Sequence, residues 1–382
     1  MKTFSALVLK KDKAFLSFAI LKKGCLKLLD EKELLLASND DFLKQLKANA
    51  KKIEKLIINF EQKHSFSVGK IFMELPSDLA DEVEVQEKVV FPKKKKITPS
   101  TIDSVKKYIE DKFLEWNQRC VHHIVLDYQT EGIQTNDAPL QVFTNKIKFR
   151  SLLIYVKEDF YKEVTDIFYN MERNFAGFIA HKISAFSQGF NNLEGNQIVI
   201  GVNNFNSYAG IKDEKGRLFE KKFSFGVKEV TEELAKQYVI APSVAEQLLK
   251  SYGSFKEIPY FKEITIKKQD SYLNLSTKVL SNFLKKVFSS NIKLIIEEVL
   301  KVVKEGKRDE AVFSFIGPLT TKDGFYGYIK KLLTVKIEVP AYKCSSPAFG
   351  CIKYGYFKPL ENEHLKKQSL LRKIKKIYHE YF

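Results

Sequence analysis

The sequence predicts a mixed α/β protein made of two related halves, with a smaller α/β unit inserted, and three observations carry that prediction. Strand-like segments arrive in threes and are followed by helical ones, once from residue 4 and again from residue 196. Between those runs, residues 97–175 alternate strand and helix as a group of their own. The length, 382 residues, is more than one hydrophobic core ordinarily organises. No repeat relates the halves residue by residue.

The first half opens on FSALVLK, KAFLSFAIL and CLKLLDEKELLL, three strands separated by polar turns at 11–13 and 22–24. Residues 40–63 carry Phe42, Leu43, Leu46, Ile53, Leu56 and Ile57 at helical spacing, and KIFMEL at 70–75 is a buried strand. The lysine run 93–96 has the composition of a solvated linker. Beyond it Thr98 suits an N-cap and Pro99 the first position of a helix over ITPSTIDSVKKYIEDKFLEW. Strands CVHHIVLDYQ, LQVFTNKIKF and SLLIYVK follow, then a helix over 158–174. The second half begins with the hairpin QIVIGVNN…SYAGIKDEKGRLFEKKFSF, turning at 213–216. Helices over 231–252 and 277–305, the strand AVFSFIG, a Gly-punctuated loop and helix TTKDGFYGYIKKLL, and the strand VKIEVP complete it.

Composition narrows the function classes. The 44% apolar content is that of a globular protein, and no stretch approaches the ~20 apolar residues of a membrane-spanning helix. The opening MKTFSALVLKKDK has too short an apolar run for a secretory leader, so the chain is expected in the cytoplasm or on the inner face of a membrane. Net charge is +17, yet only Arg119, Arg150, Arg173, Arg217, Arg308 and Arg372 are arginine, the residue that reads bases and phosphates with two donors. The lysines are spread over every segment, so nucleic acid is not expected as a partner; anionic membrane surfaces and acidic partners are favoured. Cys25, Cys120, Cys344 and Cys351 form no CxxC, which predicts reduced, buried thiols and no metal site. His122, His123, His181 and Asp127 lack the context of a catalytic triad, and neither a nucleophile elbow nor a P-loop occurs.

Residues 369–382, SLLRKIKKIYHEYF, sort into two faces on a helix. At 100° per residue Leu370, Leu371, Ile374, Ile377, Tyr378, Tyr381 and Phe382 fall within an arc of about 140°. Arg372, Lys373, Lys375, Lys376, His379 and Glu380 take the remainder. A basic face opposite an apolar one is the pattern of a helix lying in a membrane interface. A terminal helix docked on the protein's own core has the same pattern, and periodicity alone leaves both open.

The order of several segments resembles one family, the bacterial cell-division protein FtsA. ITPSTID at 97–103 is similar to the entry of that family's small inserted subdomain, and HIVLDYQTEGIQTNDAPLQVFTNKIKF to the stretch that follows it. FSFGVKEVTEEL keeps Gly226 and Thr231 of "GG-x-x-x-T-x-D-I"; AEQLLKSYG resembles "A-E-x-L-K-x-x-Y-G"; IGPLTTKDGF keeps Gly317 and Gly324 of "GGGA-x-L-P-G-L". The amphipathic end with its final Phe382 resembles the family's membrane-targeting sequence, which favours the anchor reading.

The resemblance implies an actin-like fold, two ribonuclease-H-like halves with an inserted small α/β subdomain and a C-terminal amphipathic helix. It implies a first half over 1–96 and 176–195 and the insertion over 97–175. The second half covers 196–239 and 305–358 around a helical subdomain at 240–304; a linker at 359–368 leads to the membrane-targeting helix. Implied partners are the FtsZ C-terminal tail, gripped by the helical subdomain, an anionic membrane surface, and further copies of the chain in a filament. Implied location is the cytoplasmic side of the membrane at the division site, and the implied cofactor is ATP with Mg. The residues that would line its cleft are Ser207, Gly226, Glu246, Gly317 and Gly324.

Departures from the family pattern concentrate in that cleft. Its first hairpin, ALVLKKDKAFLSF, has no glycine and one acid, Asp12, between two lysines. Where the family reads "D-I-G-G-G-T-T-D" the chain runs from Gly201 to Tyr208 as GVNNFNSY, without the aspartates or the three glycines and with Phe205 in the path of phosphate. Glycines there let backbone N–H groups approach phosphate, and carboxylates hold the metal's waters. The family's lysine position holds Leu249; Lys250 comes one place late, a rotation of 100° that turns it elsewhere. Pro318 replaces a glycine of the adenine loop. A pseudo-ATPase is therefore expected, with Ser207, Glu246 and Gly317 as vestiges of the fold. A PilM-like adaptor of pilus or secretion machinery and a working actin-like ATPase are the rival readings.

Overall fold

The computed structural model describes residues 2–36, 41–190, 196–213, 218–257, 262–267, 271–303, 308, 310–342, 344 and 346–358. The chain divides into two compact units, one of Met1–Ser77 with Thr165–Gly355, the other built on Asp78–Val164.

Two five-stranded sheets organise the larger unit. The first comprises β1 (Lys2–Leu9), β2 (Lys13–Lys22), β3 (Cys25–Leu35), β4 (Lys70–Leu75) and β9 (Phe175–Ala180), in the order β3-β2-β1-β4-β9. The second comprises β10 (Gln197–Val202), β11 (Ser207–Lys212), β12 (Leu218–Phe223), β15 (Val312–Ile316) and β16 (Lys336–Ile337), in the order β12-β11-β10-β15-β16. In each, three antiparallel strands are extended by two parallel ones. The two halves therefore share one topology that no residue-level repeat announces. β1, β4 and β10 are buried almost end to end, as strands covered on both faces must be.

Helices α1 (Phe42–His64) and α4 (His181–Gly189) belong to the first half. Asp41 caps α1 by accepting from the Lys44 N–H at 2.9 Å, and Phe60 of α1 stacks on Phe18 of β2 with ring centres 4.0 Å apart. The second half carries α5 (Val227–Tyr238), α6 (Pro242–Tyr252), α7 (Thr277–Val302) and α8 (Phe325–Leu332), with a short hairpin of β13 (Glu263–Lys267) and β14 (Tyr272–Ser276). Helix α9 (Ala348–Phe357), expected in that half, instead packs on the first: Gly350 lies against the Ser184 carbonyl of α4 and Gly355 against the Phe72 ring of β4. The expected helix over 231–252 is thus two helices, because Pro242 cannot continue α5 and instead opens α6. Among the described residues, region 240–304 shares its core with the sheet: Leu248, Leu284 and Phe288 pack in the same cluster as Ile200 and Phe315.

The smaller unit is a four-stranded sheet, β5-β8-β6-β7, of β5 (Asp81–Lys96), β6 (Gln118–Thr130), β7 (Ile133–Thr135) and β8 (Phe143–Lys157). Helix α2 (Pro99–Phe113) packs on one face, and its N-cap is Thr98 with Pro99 first, as expected. Helix α3 (Glu158–Asn170) carries the chain onward. Three sequence expectations need correction here. The unit begins at 78 rather than 97, because β5 pairs with β8 along most of its length. Lys93–96 is the end of that strand rather than a linker; an edge strand tolerates lysines because they project into solvent. The segments LQVFTNKIKF and SLLIYVK form one strand, β8, from Phe143 onward.

Candidate functional site

A cleft in the larger unit gathers residues from both of its halves. Its walls are the β1–β2 turn, the β10–β11 turn, the first turn of α5, one face of α6 and the loop after β15. Two adjoining pockets occupy it, of about 250 and 160 Å³. The larger has mainly apolar walls, among them Phe15, Val230, Leu249, Leu284 and Leu319. Lys13 and Glu33 form an ion pair at 2.8 Å on its edge. Burial alone lowers the Lys13 pKa, but the hydrogen bond and charge of Glu33, with Asp12 and Glu246, outweigh it and hold the ammonium above its ordinary value.

The smaller pocket is lined by Lys10, Lys11, Asp12, Asn203 and Phe205. Phe205 is 44% exposed, with the Lys11 and Lys228 ammoniums 5.9 and 5.3 Å from its ring centre. The N-terminus of α5 would be the natural cradle for an anion, but its N–H groups are spent. Val227 N–H donates to the Asn203 carbonyl at 3.0 Å and Lys228 N–H to that of Asn204 at 2.8 Å. Gly226 permits this contact: a Cβ there would stand 2.5 Å from the Asn204 oxygen and 2.6 Å from the Phe205 carbonyl carbon.

Behind the cleft lies a buried charge network. Glu74, at the end of β4 and 1% exposed, accepts from Lys10 Nζ at 3.0 Å, from His181 Nδ1 at 2.6 Å and from Ser184 Oγ at 3.1 Å. Burial by itself would raise this carboxyl, yet Lys10 and His181 together bring it down to about 2. Tyr208 packs edge-on against His181 with ring centres 4.5 Å apart. Its phenol is pushed well above the ordinary value by burial and by the charges of Glu74 and Glu220, so it stays neutral. The ring finds room only because its cross-strand partner is Gly201; a Cβ there would lie 2.2 Å from the ring.

Of the sequence-derived cleft residues, Glu246 alone lines either of these two pockets. Ser207 is fully buried and donates its hydroxyl to the Phe225 carbonyl at 2.6 Å, a bond that ties β11 to the start of α5. Gly226 serves the turn contact just described. Gly317, at φ 114°, lets the loop after β15 pass the Val202 carbonyl, where a Cβ would stand 2.3 Å from the oxygen. Gly324, at φ 79°, opens α8 beside the Lys256 backbone.

Lys250 does not turn away, as the one-place shift in the sequence implied. Glu246, Leu249 and Lys250 stand at i, i+3 and i+4 of α6, so both later residues share Glu246's face and line the larger pocket. Leu370, Leu371, Arg372, Lys373, Ile374, Lys375, Lys376, Ile377, Tyr378, Tyr381 and Phe382 lie outside the described residues. The Lys10–Glu74–His181 network was not found from sequence. Its members are 64 and 107 positions apart, and no local motif links them.

These residues do not fit Mg·triphosphate. Phe205 stands beside the first hairpin, the α5 amides are taken by carbonyls, and Asp12 is the only carboxylate lining the smaller pocket. Among the described residues no group of three or more His, Cys, Asp or Glu could hold a metal ion.

No family model matches the sequence, and no curated protein matches it. Among solved structures the chain is similar to the PilM–PilN type IV pilus biogenesis complex at 9% identity, over 95% of this chain and 99% of that one, with a TM-score of 0.51. It is also similar to MreB5 of Spiroplasma citri bound to ADP, at 12% identity over 96% and 99% of the two chains, with a TM-score of 0.49. EutJ, the ethanolamine utilization protein of Carboxydothermus hydrogenoformans, aligns at 10% identity over 92% and 90%, with a TM-score of 0.48. With the twinned sheet topology, the first likeness defines the class: the fold is actin-like.

Proposed function

We propose that this protein is a non-hydrolysing actin-like scaffold of the FtsA kind, holding FtsZ filaments to the inner face of the cytoplasmic membrane at the division site. The observation that supports it most is the cleft. Phe205 stands with Lys11 and Lys228 where phosphate would pass, and the α5 amides are already bonded. A site spent on its own turn is suited to rigid support rather than turnover. In this reading the working surfaces are the region 240–304, which takes the FtsZ tail, and residues 369–382, which take the membrane.

Magnitudes set how the tether works. Arg372, Lys373, Lys375 and Lys376 contribute at most ~1 kcal/mol each near an anionic surface. Seven apolar side chains, partly immersed, add about a few kcal/mol, and ordering the helix opposes both terms. A single tail is therefore a weak, reversible anchor, and many tails on a filament form a firm one. Co-sedimentation with anionic liposomes tests the proposal, comparing the full chain with residues 1–368, each with and without an FtsZ tail peptide. Binding by the full chain that is lost on truncation supports it, as does recruitment of the peptide; equal sedimentation of both forms overturns it. The double substitution Leu371→Glu with Ile377→Glu should release the protein in the same way.

The likeness to the PilM–PilN complex favours a second reading, a cytoplasmic adaptor that binds a partner's short peptide in pilus or secretion machinery. Removal of 369–382 would then leave membrane association unchanged. Titration with Mg·ATP checks the non-hydrolysing claim, which submillimolar affinity with turnover would overturn.

A further inference from the structure

The outer face of the smaller unit's sheet holds a lysine triangle that the proposed scaffold role does not use. Lys88 of β5 sits directly opposite Lys148 of β8, and Lys148 is in turn opposite Gln129 of β6. Lys146 lies two residues before Lys148 on the same face. Cross-strand neighbours have Cβ atoms about 5 Å apart and diagonal ones about 7–8 Å, so three ammonium groups can converge on one point. The opposite face carries Val89, Ile147 and Phe149, packed with α2, so the lysines cannot rotate into the core.

Two features separate this group from ordinary solvated lysines. Like charges placed directly opposite on a sheet destabilise it, so the Lys88–Lys148 row works against the fold. The neighbouring row shows the usual remedy: Arg150 is held by Asp127 at 2.9 Å and Glu84 at 3.5 Å. Among the described residues Lys88, Lys146 and Lys148 form no ion pair. Glu131, the acid that lines the same pocket, is engaged by Lys94 at 3.5 Å. The lysines are also concave rather than flat in arrangement. With Gln129 and the tight turn at Glu131 and Gly132, where φ is 47° and 89°, they enclose a pocket of about 270 Å³.

We infer that this pocket binds a phosphoryl-bearing ligand carrying more than one negative charge, either a free diphosphate-like anion or the headgroup of an anionic phospholipid. Lysine suits such a ligand as a mobile point charge, and the Gln129 amide adds a neutral donor. The like-charge row then becomes the source of binding, since a bound dianion converts repulsion between Lys88 and Lys148 into shared attraction.

Lysine acylation followed by mass spectrometry on the full chain tests this at the level of single residues. Pyrophosphate and vesicles of cardiolipin, whose headgroup carries two phosphates, or of phosphatidylcholine are the probes, with Lys51 and Lys52 of α1 as exposed references. At a ligand concentration near ten times the dissociation constant, Lys88, Lys146 and Lys148 should react about tenfold more slowly while the references do not change. Slowing by pyrophosphate identifies a free anion; slowing by cardiolipin vesicles alone identifies a headgroup. Slowing by neither, or equal slowing of all exposed lysines, overturns the inference. Lys148→Gln should abolish protection of Lys88 and Lys146, yet melt no lower than the parent without ligand; a lower melting temperature assigns the row to stability and also overturns it. The pyrophosphate arm does not involve residues 369–382, and the Lys148→Gln chain keeps them, so failure here is distinguishable from failure of the scaffold reading.

Discussion

Replacing Glu74 by glutamine should cost about 3 kcal/mol at neutral pH. The carboxyl sits at about 2 in the folded chain against an ordinary 4.5, and each pKa unit is worth about 1.4 kcal/mol. The range for breaking one side of a buried ion pair, about 3–5 kcal/mol, includes that figure. The sign with pH follows from the direction of the shift. A carboxyl depressed by folding contributes its full stabilisation above the unfolded value near 4.5, and loses it as pH falls through about 2. Urea unfolding of parent and Glu74→Gln, followed by far-ultraviolet circular dichroism, should thus show a constant gap down to about pH 5 that narrows by about pH 3. The single tryptophan, Trp116, lies in the other compact unit, so its fluorescence would not report this site. A gap under about 1 kcal/mol at neutral pH would refute the reasoning, because surface pairs reach that value. So would a gap that persists unchanged in acid. Lys10→Met in the glutamine background should add little, since the partner it served is already gone.

Three further outcomes follow from close approaches in the cleft. Gly226→Ala should destabilise by about 1–3 kcal/mol in urea titration, because its Cβ would meet the Asn204 oxygen at 2.5 Å and force the β10–β11 turn off α5. Gly201→Ala should cost a similar amount, about 1–3 kcal/mol, by striking the Tyr208 ring, and Tyr208→Leu in the same chain should recover part of the loss. Lys322 donates to the Leu249 and Lys250 carbonyls at 3.0 and 2.6 Å in the last turn of α6; Lys322→Met should lower stability by about 1–2 kcal/mol, read as an earlier melting transition.

Sequence alone determined the elements whose signals are local. Thr98 before Pro99 marked the start of α2, KIFMEL marked a buried strand, and the triplets of strands near 4 and 196 marked two halves. Those signals survive because capping geometry and burial periodicity act over a few residues. Phe205 in the second hairpin was also legible, since an aromatic ring there changes the chemistry of the turn wherever it folds. Tertiary structure decided the rest. Lys93–96 reads as linker until β8 supplies a partner strand, and Lys250 reads as misplaced until the cleft is seen to take a whole face of α6. Glu74 reads as one acid in an apolar strand; its depressed carboxyl exists only because folding brings Lys10 and His181 to it from 64 and 107 positions away. Likewise Lys88 and Lys148 are two surface lysines in the sequence, and a repelling pair only once the β5–β8 register sets them face to face. Electrostatic energy depends on distance in space, which the order of residues along the chain does not carry.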